Sequence, residues 1–431
     1  MWLKNNLLEN LITSLSSYEV PLELFVNDIF LRIWRASARI TIPAPLSDWV
    51  VKQICLPKIY FRYDCSEDSH IALGSLFQTE ECPEIRILTN PYHFSPKFYG
   101  GLSNTPTCEK FSIWKNFPTA IFFLPEMEVE TIDGDSVLHL YFLHDIESAR
   151  EEMIDRLSKL KETIDTQNRC TPTIISRKDF PTRQDWNLII KDLVKNISLG
   201  KLQKAVAARQ SSFTYKESLS ISSLLRSLQK IKSGTLFCIQ FSPSEHFIGV
   251  TPELLYSRAG NKLEIMALAG TASLLESQNL KREKEQKEFG LVKEFIYEAM
   301  KTLCRTIHFT FDITYPITSL LHLRRIYRGK LFPLINDREI LKNLHPTPAI
   351  SGFPRQIAAD YLQKTEVFDR GWYASPIGYV SEKETRIYIA IRSACVIENN
   401  LHLFSGAGII QGSLPEQEWE ELEKKINYFF F

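Results

Sequence analysis

The chain has 431 residues, 44% hydrophobic and 24% charged, so its length exceeds one ordinary core and predicts two domains or one large layered domain. Lys plus Arg and Asp plus Glu both number 51, and this zero balance argues against nucleic-acid binding, which needs a basic excess or stripe. No apolar run reaches the roughly 18 residues of a membrane-crossing helix.

The start, Met1-Trp-Leu-Lys-Asn-Asn6, lacks the apolar stretch and cleavage site of a secretory leader. The eight cysteines are scattered from Cys55 to Cys395 with no C-x-x-C pair, a pattern of reduced thiols and not of a zinc site or disulfide framework. The location expected is cytoplasmic. Leu7 to Leu15 reads as a short amphipathic helix. Strand-like runs follow at Ile85–Leu88, Ala120–Leu124 and Val137–Phe142, separated by turns such as Asn90-Pro-Tyr92 and Ser103-Asn-Thr-Pro106. Residues 145–168 are highly charged, with apolar side chains at Ile146, Met153, Leu157 and Leu160 that suggest a surface helix. Polar residues and prolines from Asn168 to Phe180 mark a boundary or a long crossing loop. Residues 1–175 carry no readable motif; residues 176–431 carry the candidate chemistry, within what is expected to be one structural domain.

From Arg183 the elements sharpen. Trp186–Leu199 predicts a helix ended by Gly200. The segment Lys204–Arg209 and a strand at Leu236–Phe241 come next. The run Phe247–Leu255 leads to a hairpin turn at Ala259-Gly-Asn261 and a strand at Leu263–Gly270, and a long helix spans Lys281 to Leu303. A turn-rich stretch, Phe368–Tyr379, precedes a strand over Tyr388–Val396. A second strand ends in Ser405-Gly-Ala-Gly408, and an acidic helix covers Pro415–Lys425. This order predicts an α+β fold, a large layered sandwich of mostly antiparallel sheets with helices outside.

Several side chains suit the handling of charge. Arg392 interrupts an apolar strand on the face of Tyr388, Ala390 and Ala394; it is either half of a structural salt bridge or a clamp for an anion. Gly406 and Gly408, flanking Ala407, let backbone N–H groups approach an anion. Glu418, Glu421 and Lys425 share one helical face. Glu285 and Glu288 extend the apolar stripe of Phe289, Val292, Phe295, Ile296 and Ala299. They either face inward, where Mg2+ would satisfy them, or form a solvated cluster with Lys281, Arg282, Lys284 and Lys287. Lys204, among small apolar neighbours, is either a general base or an edge lysine. Glu253 is either a partly buried general acid or a helix-start acid balancing the dipole. His345 reads most simply as a satisfied loop histidine. Together these residues suggest a site for a small dianion with a metal.

In chain order, Ala267-Leu-Ala-Gly-Thr271, Lys284-Glu-x-x-Glu288, Leu344-His-Pro-Thr-Pro-Ala349, Asp369-Arg-Gly-x-Tyr373, Ile391-Arg-Ser-Ala394, Gly406-Ala-Gly408 and Glu418-Trp-x-Glu421 form seven ordered motifs. On these motifs, residues 183–428 resemble the chorismate-utilising enzymes, the family of anthranilate synthase component I, aminodeoxychorismate synthase, isochorismate synthase and salicylate synthase. The resemblance implies two layered α/β halves enclosing a deep site. By position it implies Glu288 and Glu421 as Mg2+ ligands, with Glu418 acting through water. Arg392, Tyr373 and the Gly406-Ala407-Gly408 backbone would clamp the carboxylates of chorismate, with Lys425 adding charge and Thr271, His345 and Ala349 beside the substrate. Lys204 resembles the base that activates water for attack at ring carbon 2, and Glu253 the acid that protonates the hydroxyl leaving carbon 4.

Lys204, Ala349 and the wording of Ala267–Ala272 resemble the isochorismate-forming members. Amine-forming members generally lack that base, and anthranilate and salicylate synthases tend to carry threonine at the position of Ala349. The activity implied is an isomerase reaction, chorismate to isochorismate. Salicylate synthesis by further loss of pyruvate, or silent chorismate binding, are the alternatives. The resemblance implies no glutamine amidotransferase subunit, since water is the nucleophile, and a monomer or weak dimer. Four departures stand out: Phe289 for a usual histidine, Glu285 for aspartate, Lys424 for asparagine, and Ser273-Leu-Leu275 after Thr271-Ala272.

Overall fold

The computed structural model describes residues 6–17, 20–42, 45–64, 66, 68–90, 92–104, 112–143, 146–161, 172–317 and 320–430. Residues Met1–Asn5, parts of the turns at 90–92 and 103–106, and the first four residues of the boundary expected at 168–180 lie outside these residues; the rest of that boundary is not a loop, because Ile174–Phe180 forms a strand. Every strand pairing among the described residues is antiparallel, and the strands form two large sheets. The first runs from Ile174–Phe180 through Lys204–Tyr215, Asn400–Ile409, Ser393–Ile397, Glu245–Thr251 and Thr235–Ser242 to Lys58–Arg62, then continues into further N-terminal strands. The second runs from Cys304–Phe309 through Leu320–Leu331, Lys262–Ser273, Leu254–Ala259, Glu384–Ile389 and Pro376–Val380 to Phe98–Leu102. Residues before 175 therefore complete both sheets, hydrogen-bonded directly to strands of the motif-bearing part.

Side chains of both sheets meet in one apolar core that includes Phe237, Ile239, Tyr256, Ile265, Ile377 and Ile387. Each such side chain removed from water contributes about 1.5–3 kcal/mol, so facing the sheets against each other is the arrangement that two one-sided apolar surfaces favour. On the outer face of the first sheet the helix Arg183–Ser198 starts at Thr182, whose hydroxyl accepts from the Asp185 amide. Its Trp186, Ile190 and Leu193 pack on Ala205, Ala207 and Ala407. The first eight residues of Lys204–Tyr215 are all buried, because helices cover one face of that strand and the sheet-to-sheet core the other.

Two sequence runs that read as single strands are each divided between the sheets. Glu245–Thr251 belongs to the first sheet and Leu254–Ala259 to the second, with Pro252-Glu253 crossing between them. Likewise Glu384–Ile389 and Ser393–Ile397 lie in different sheets, and Ala390-Ile391-Arg392 makes the crossing. Arg392 therefore does not share a strand face with Tyr388. It has a φ of 51°, a left-handed conformation that a residue with a side chain adopts only when its surroundings hold it there. The crossings are joined: the Ile389 amide donates to the Glu253 carbonyl at 3.0 Å, and the Val250 amide to the Arg392 carbonyl at 3.2 Å. Among the described residues no helix is long and apolar enough to cross a membrane.

Candidate active site

The crossings open a cavity between the sheets. Its wall includes Glu253, Leu268, Gly270, Thr271, Glu288, His322, Ala349, Tyr373, Ile391, Arg392, Phe404, Gly406, Gly408, Glu421 and Lys425. Lys204, at the start of its strand, is fully buried, and its Nζ lies 2.8 Å from Glu288 Oε1. Both groups lie over Gly408, where a Cβ would come within 2.0 Å of Glu288 Oε1 and 3.1 Å of Lys204 Cε. Glycine is thus required there by close approach. At the neighbouring crossing Glu253 is 4% exposed. Burial pushes its carboxyl up to about 7, against the opposing pull of the Lys204 ammonium. A buried cation and a carboxyl able to hold its proton near neutrality thus serve one cavity.

Arg392 is 6% exposed, and no carboxylate pairs with it among the described residues. Its Nη2 lies 3.3 Å from His322 Nε2, while His322 Nδ1 lies 3.0 Å from the Gly270 carbonyl. Burial and the neighbouring Arg392 hold His322 down at about 3, so the imidazole is neutral. Its proton belongs on Nδ1, facing the carbonyl, which leaves Nε2 to accept from the guanidinium. A buried guanidinium beside a cavity, steered by a neutral histidine and lacking a carboxylate, is built to receive an anion from outside. Beyond it the Tyr373 ring stacks on Phe404 with centroids 5.2 Å apart, and Phe404 stacks on Trp114 at 5.4 Å. These rings make a flat wall suited to a planar ligand.

At the other end four carboxylates come together from two helices, Glu283–Leu303 and Pro415–Ile426. Three are balanced by lysines: Glu288 by Lys204, Glu421 by Lys425 at 2.6 Å, and Glu418 by Lys284. Lys425 also donates to the Gly406 carbonyl at 2.7 Å. Burial, then Glu421, raises Glu418 to about 7, and burial raises Glu285 as well. Burial works in the same direction on Glu421, but Lys425, then Lys284 and His322, together outweigh it and hold that carboxyl below its usual range. Glu285 Oε2 is buried with no hydrogen-bond partner among the described residues. An all-oxygen donor set with one orphaned oxygen fits a hard divalent cation such as Mg2+. Among the described residues no three of these four carboxylates bring oxygens within 4.8 Å of one another; the one group that does is His70, Glu128 and Glu130, and none of those lines this cavity. Lys97 bonds Glu130, while Tyr99 and Tyr141 donate to Glu128.

The residues singled out from sequence fall into three groups. Glu253, Thr271, Glu288, Ala349, Tyr373, Arg392, Gly406, Gly408, Glu421 and Lys425 line the cavity, and Lys204 adjoins it. Glu418 lies in a cleft next to the cavity, with Lys284, Glu285 and Lys424. Ala407 and His345 are not in the wall. Alternation turns the Ala407 side chain to the outer face, among Trp186 and Ala207. His345 follows the helix Asp337–Leu344, and burial, with Arg355 nearby, holds it down at about 3. Phe289, in place of the usual histidine, is a core residue. Sequence reasoning passed over His322 and Phe404, and gave Leu268 and Ile391 no role although both lie in quoted motifs. The available signal for His322 was one polar residue in the apolar run Leu320-Leu-His-Leu323.

The family model described as chorismate binding enzyme matches residues 78–430. Isochorismate synthase MenF of Haemophilus influenzae is 29% identical over 446 positions, covering 99% of this chain and 97% of that protein. Isochorismate synthase MenF of Escherichia coli is 26% identical, covering 90% of this chain and 91% of that protein. The solved structure of the menaquinone-specific isochorismate synthase MenF from Escherichia coli shares the fold, with a TM-score of 0.83 at 23% identity over 98% of this chain and 99% of that one.

Proposed function

Because this chain belongs to the chorismate binding enzyme family, we infer that it is an isochorismate synthase, an isomerase that converts chorismate to isochorismate. The observation that carries the reading is the juxtaposition of buried Lys204, protonatable Glu253 and the carboxylate-free Arg392 at one cavity. Water is a poor nucleophile and hydroxide a poor leaving group, so the reaction needs a base at carbon 2 and an acid at carbon 4 of one ring. Lys204, acting as the neutral amine after giving up its own proton, takes a proton from water as its oxygen bonds to ring carbon 2. Both conjugated ring double bonds shift by one position, the second toward carbon 4, whose bond to its hydroxyl breaks, and Glu253 gives its proton to the departing group, which leaves as water. Arg392 grips one substrate carboxylate, Tyr373 and the Gly406 and Gly408 backbone flank it, and Thr271, Ala349 and Lys425 border the ring. Held by Glu288 and Glu421, with Glu418 reaching it through water, Mg2+ would neutralise and orient substrate carboxylate. The small Ala349 leaves room for water. This reading needs no amidotransferase subunit and suits a cytoplasmic monomer or weak dimer, in keeping with the free thiols of Cys55, Cys82, Cys238, Cys304 and Cys395.

The test is chromatography with mass detection of purified protein given chorismate, with and without Mg2+ and with added ammonium. The expected product is isomeric with chorismate, depends on Mg2+ and is unchanged by ammonium. Salicylate with pyruvate, or an amino product, would overturn the reading. A pH series gives a second expectation. Glu253 acts only while protonated, so kcat/KM, which reports the free enzyme, should fall as pH rises through about 7. Glu253→Gln should lower activity by roughly 10^2- to 10^4-fold and abolish that alkaline limb; a limb that persists in a residual-activity profile would assign it to another group.

A further inference from the structure

Lys204 and Arg209 lie on one strand, five positions apart, and so on opposite faces. Lys204 faces the cavity with Val206 and Ala208. Arg209 faces outward with Ala205 and Ala207, beneath the helix Pro415–Ile426. Its side chain is fully buried; the guanidinium lies over the Trp419 ring at 4.2 Å and donates to Glu423 Oε1 at 2.8 Å. Asp179 Oδ1 is 3.7 Å from Nε, yet Nε and Nη2 make no hydrogen bond among the described residues. Trp419 and Glu423 are one turn apart, on the back of the same helix whose front presents Glu418, Glu421 and Lys425.

That arrangement is a poor one for stability, since a buried guanidinium with two idle donors forfeits hydration it does not recover. As a geometric device it is effective. A planar cation stacked on an indole and hydrogen-bonded one turn away fixes the helix both in rotation about its axis and in height over the sheet. A rotation of about 20° moves a carboxylate held roughly 6 Å from the axis by about 2 Å, enough to misplace Glu421 from Glu288. We propose that Arg209 is a positioning residue that indexes the Glu421 helix to the Lys204 strand, so that one rigid strand sets both the base and the metal-binding carboxylates. The proposal rests on the metal role inferred for Glu421.

The test is Mn2+ binding, followed by electron paramagnetic resonance, to the wild-type protein, Arg209→Met, Arg209→Lys, Arg177→Met, Glu423→Gln and Glu421→Gln, with chorismate KM and kcat measured in parallel. Arg209→Met is expected to weaken Mn2+ binding at least ten-fold and to lower kcat, with chorismate KM within two-fold of wild type and partial recovery in Arg209→Lys. Unchanged Mn2+ affinity in folded Arg209→Met overturns the proposal, whether or not the melting temperature falls. Where Arg209→Met does not fold, Glu423→Gln decides beside Arg177→Met, because Arg177 also donates to Glu423. Unchanged affinity in Glu423→Gln is equally fatal; a loss there supports the proposal where Arg177→Met binds Mn2+ like wild type and overturns it where Arg177→Met loses affinity as well. If Glu421→Gln itself binds Mn2+ like wild type, the metal reading fails first.

Discussion

Replacing Lys204 with alanine is expected to lower isochorismate formation by on the order of 10^3-fold, the scale of a lost general base, while chorismate still binds. The lysine is buried on the cavity face of its strand, and the lysine in the cavity wall, Lys425, is tied to Glu421 and the Gly406 carbonyl. Arg392 and the aromatic wall, which hold the substrate, stand apart from Lys204, so affinity should survive its loss. Lys204→Arg should be as inactive as the alanine variant, because a guanidinium keeps the charge but does not give up its proton. That pair of variants separates base chemistry from mere neutralisation of Glu288. Product formation in a single turnover, with chorismate binding measured by equilibrium dialysis, checks both. Wild-type turnover by Lys204→Ala would remove the lysine from the chemistry.

A second large effect is expected at Arg392. Truncating one partner of a buried charge pair costs about 2–5 kcal/mol, or roughly 30- to several-thousand-fold in kcat/KM, and Arg392→Met should lose that much, mainly through KM. Its stability should move little or rise. With no carboxylate partner among the described residues, removing the guanidinium leaves no orphaned acid and relieves the desolvation of an unpaired charge. If Arg392 were instead half of a structural salt bridge, the melting temperature would drop with the activity. Steady-state kinetics beside a thermal melt distinguishes the two.

Much of the fold was legible where one periodicity ran long enough. The helix predicted from Lys281 to Leu303 spans Glu283–Leu303, and the acidic helix predicted over Pro415–Lys425 spans Pro415–Ile426. The crossings at Pro252-Glu253 and Ala390–Arg392 were not legible, because an apolar β run reads alike whether it continues in one sheet or steps to another. Those crossings are what bring Glu253 and Arg392 to one cavity. The partnering of Thr235–Ser242 with Lys58–Arg62 was hidden for a related reason: register between distant strands follows from packing, not from local pattern. Ala407 is a different case. The motif drew attention to all of Gly406-Ala407-Gly408, while alternation alone already turned the middle side chain outward.

The interleaving of early and late strands also bears on how the chain reaches this state during synthesis. The strands Lys58–Arg62 and Phe98–Leu102 emerge from the ribosome long before their partners Thr235–Ser242 and Pro376–Val380, and until then they present unpaired edges. Pairings so remote in sequence make folding slow and leave the nascent polypeptide open to aggregation. The helix that brings Glu421 to Glu288 emerges later still. A ribosome stalled just before that helix would release a product with most of its strands and no metal cradle, so chaperone demand, more than final stability, is the expected limit on yield when this protein is overproduced.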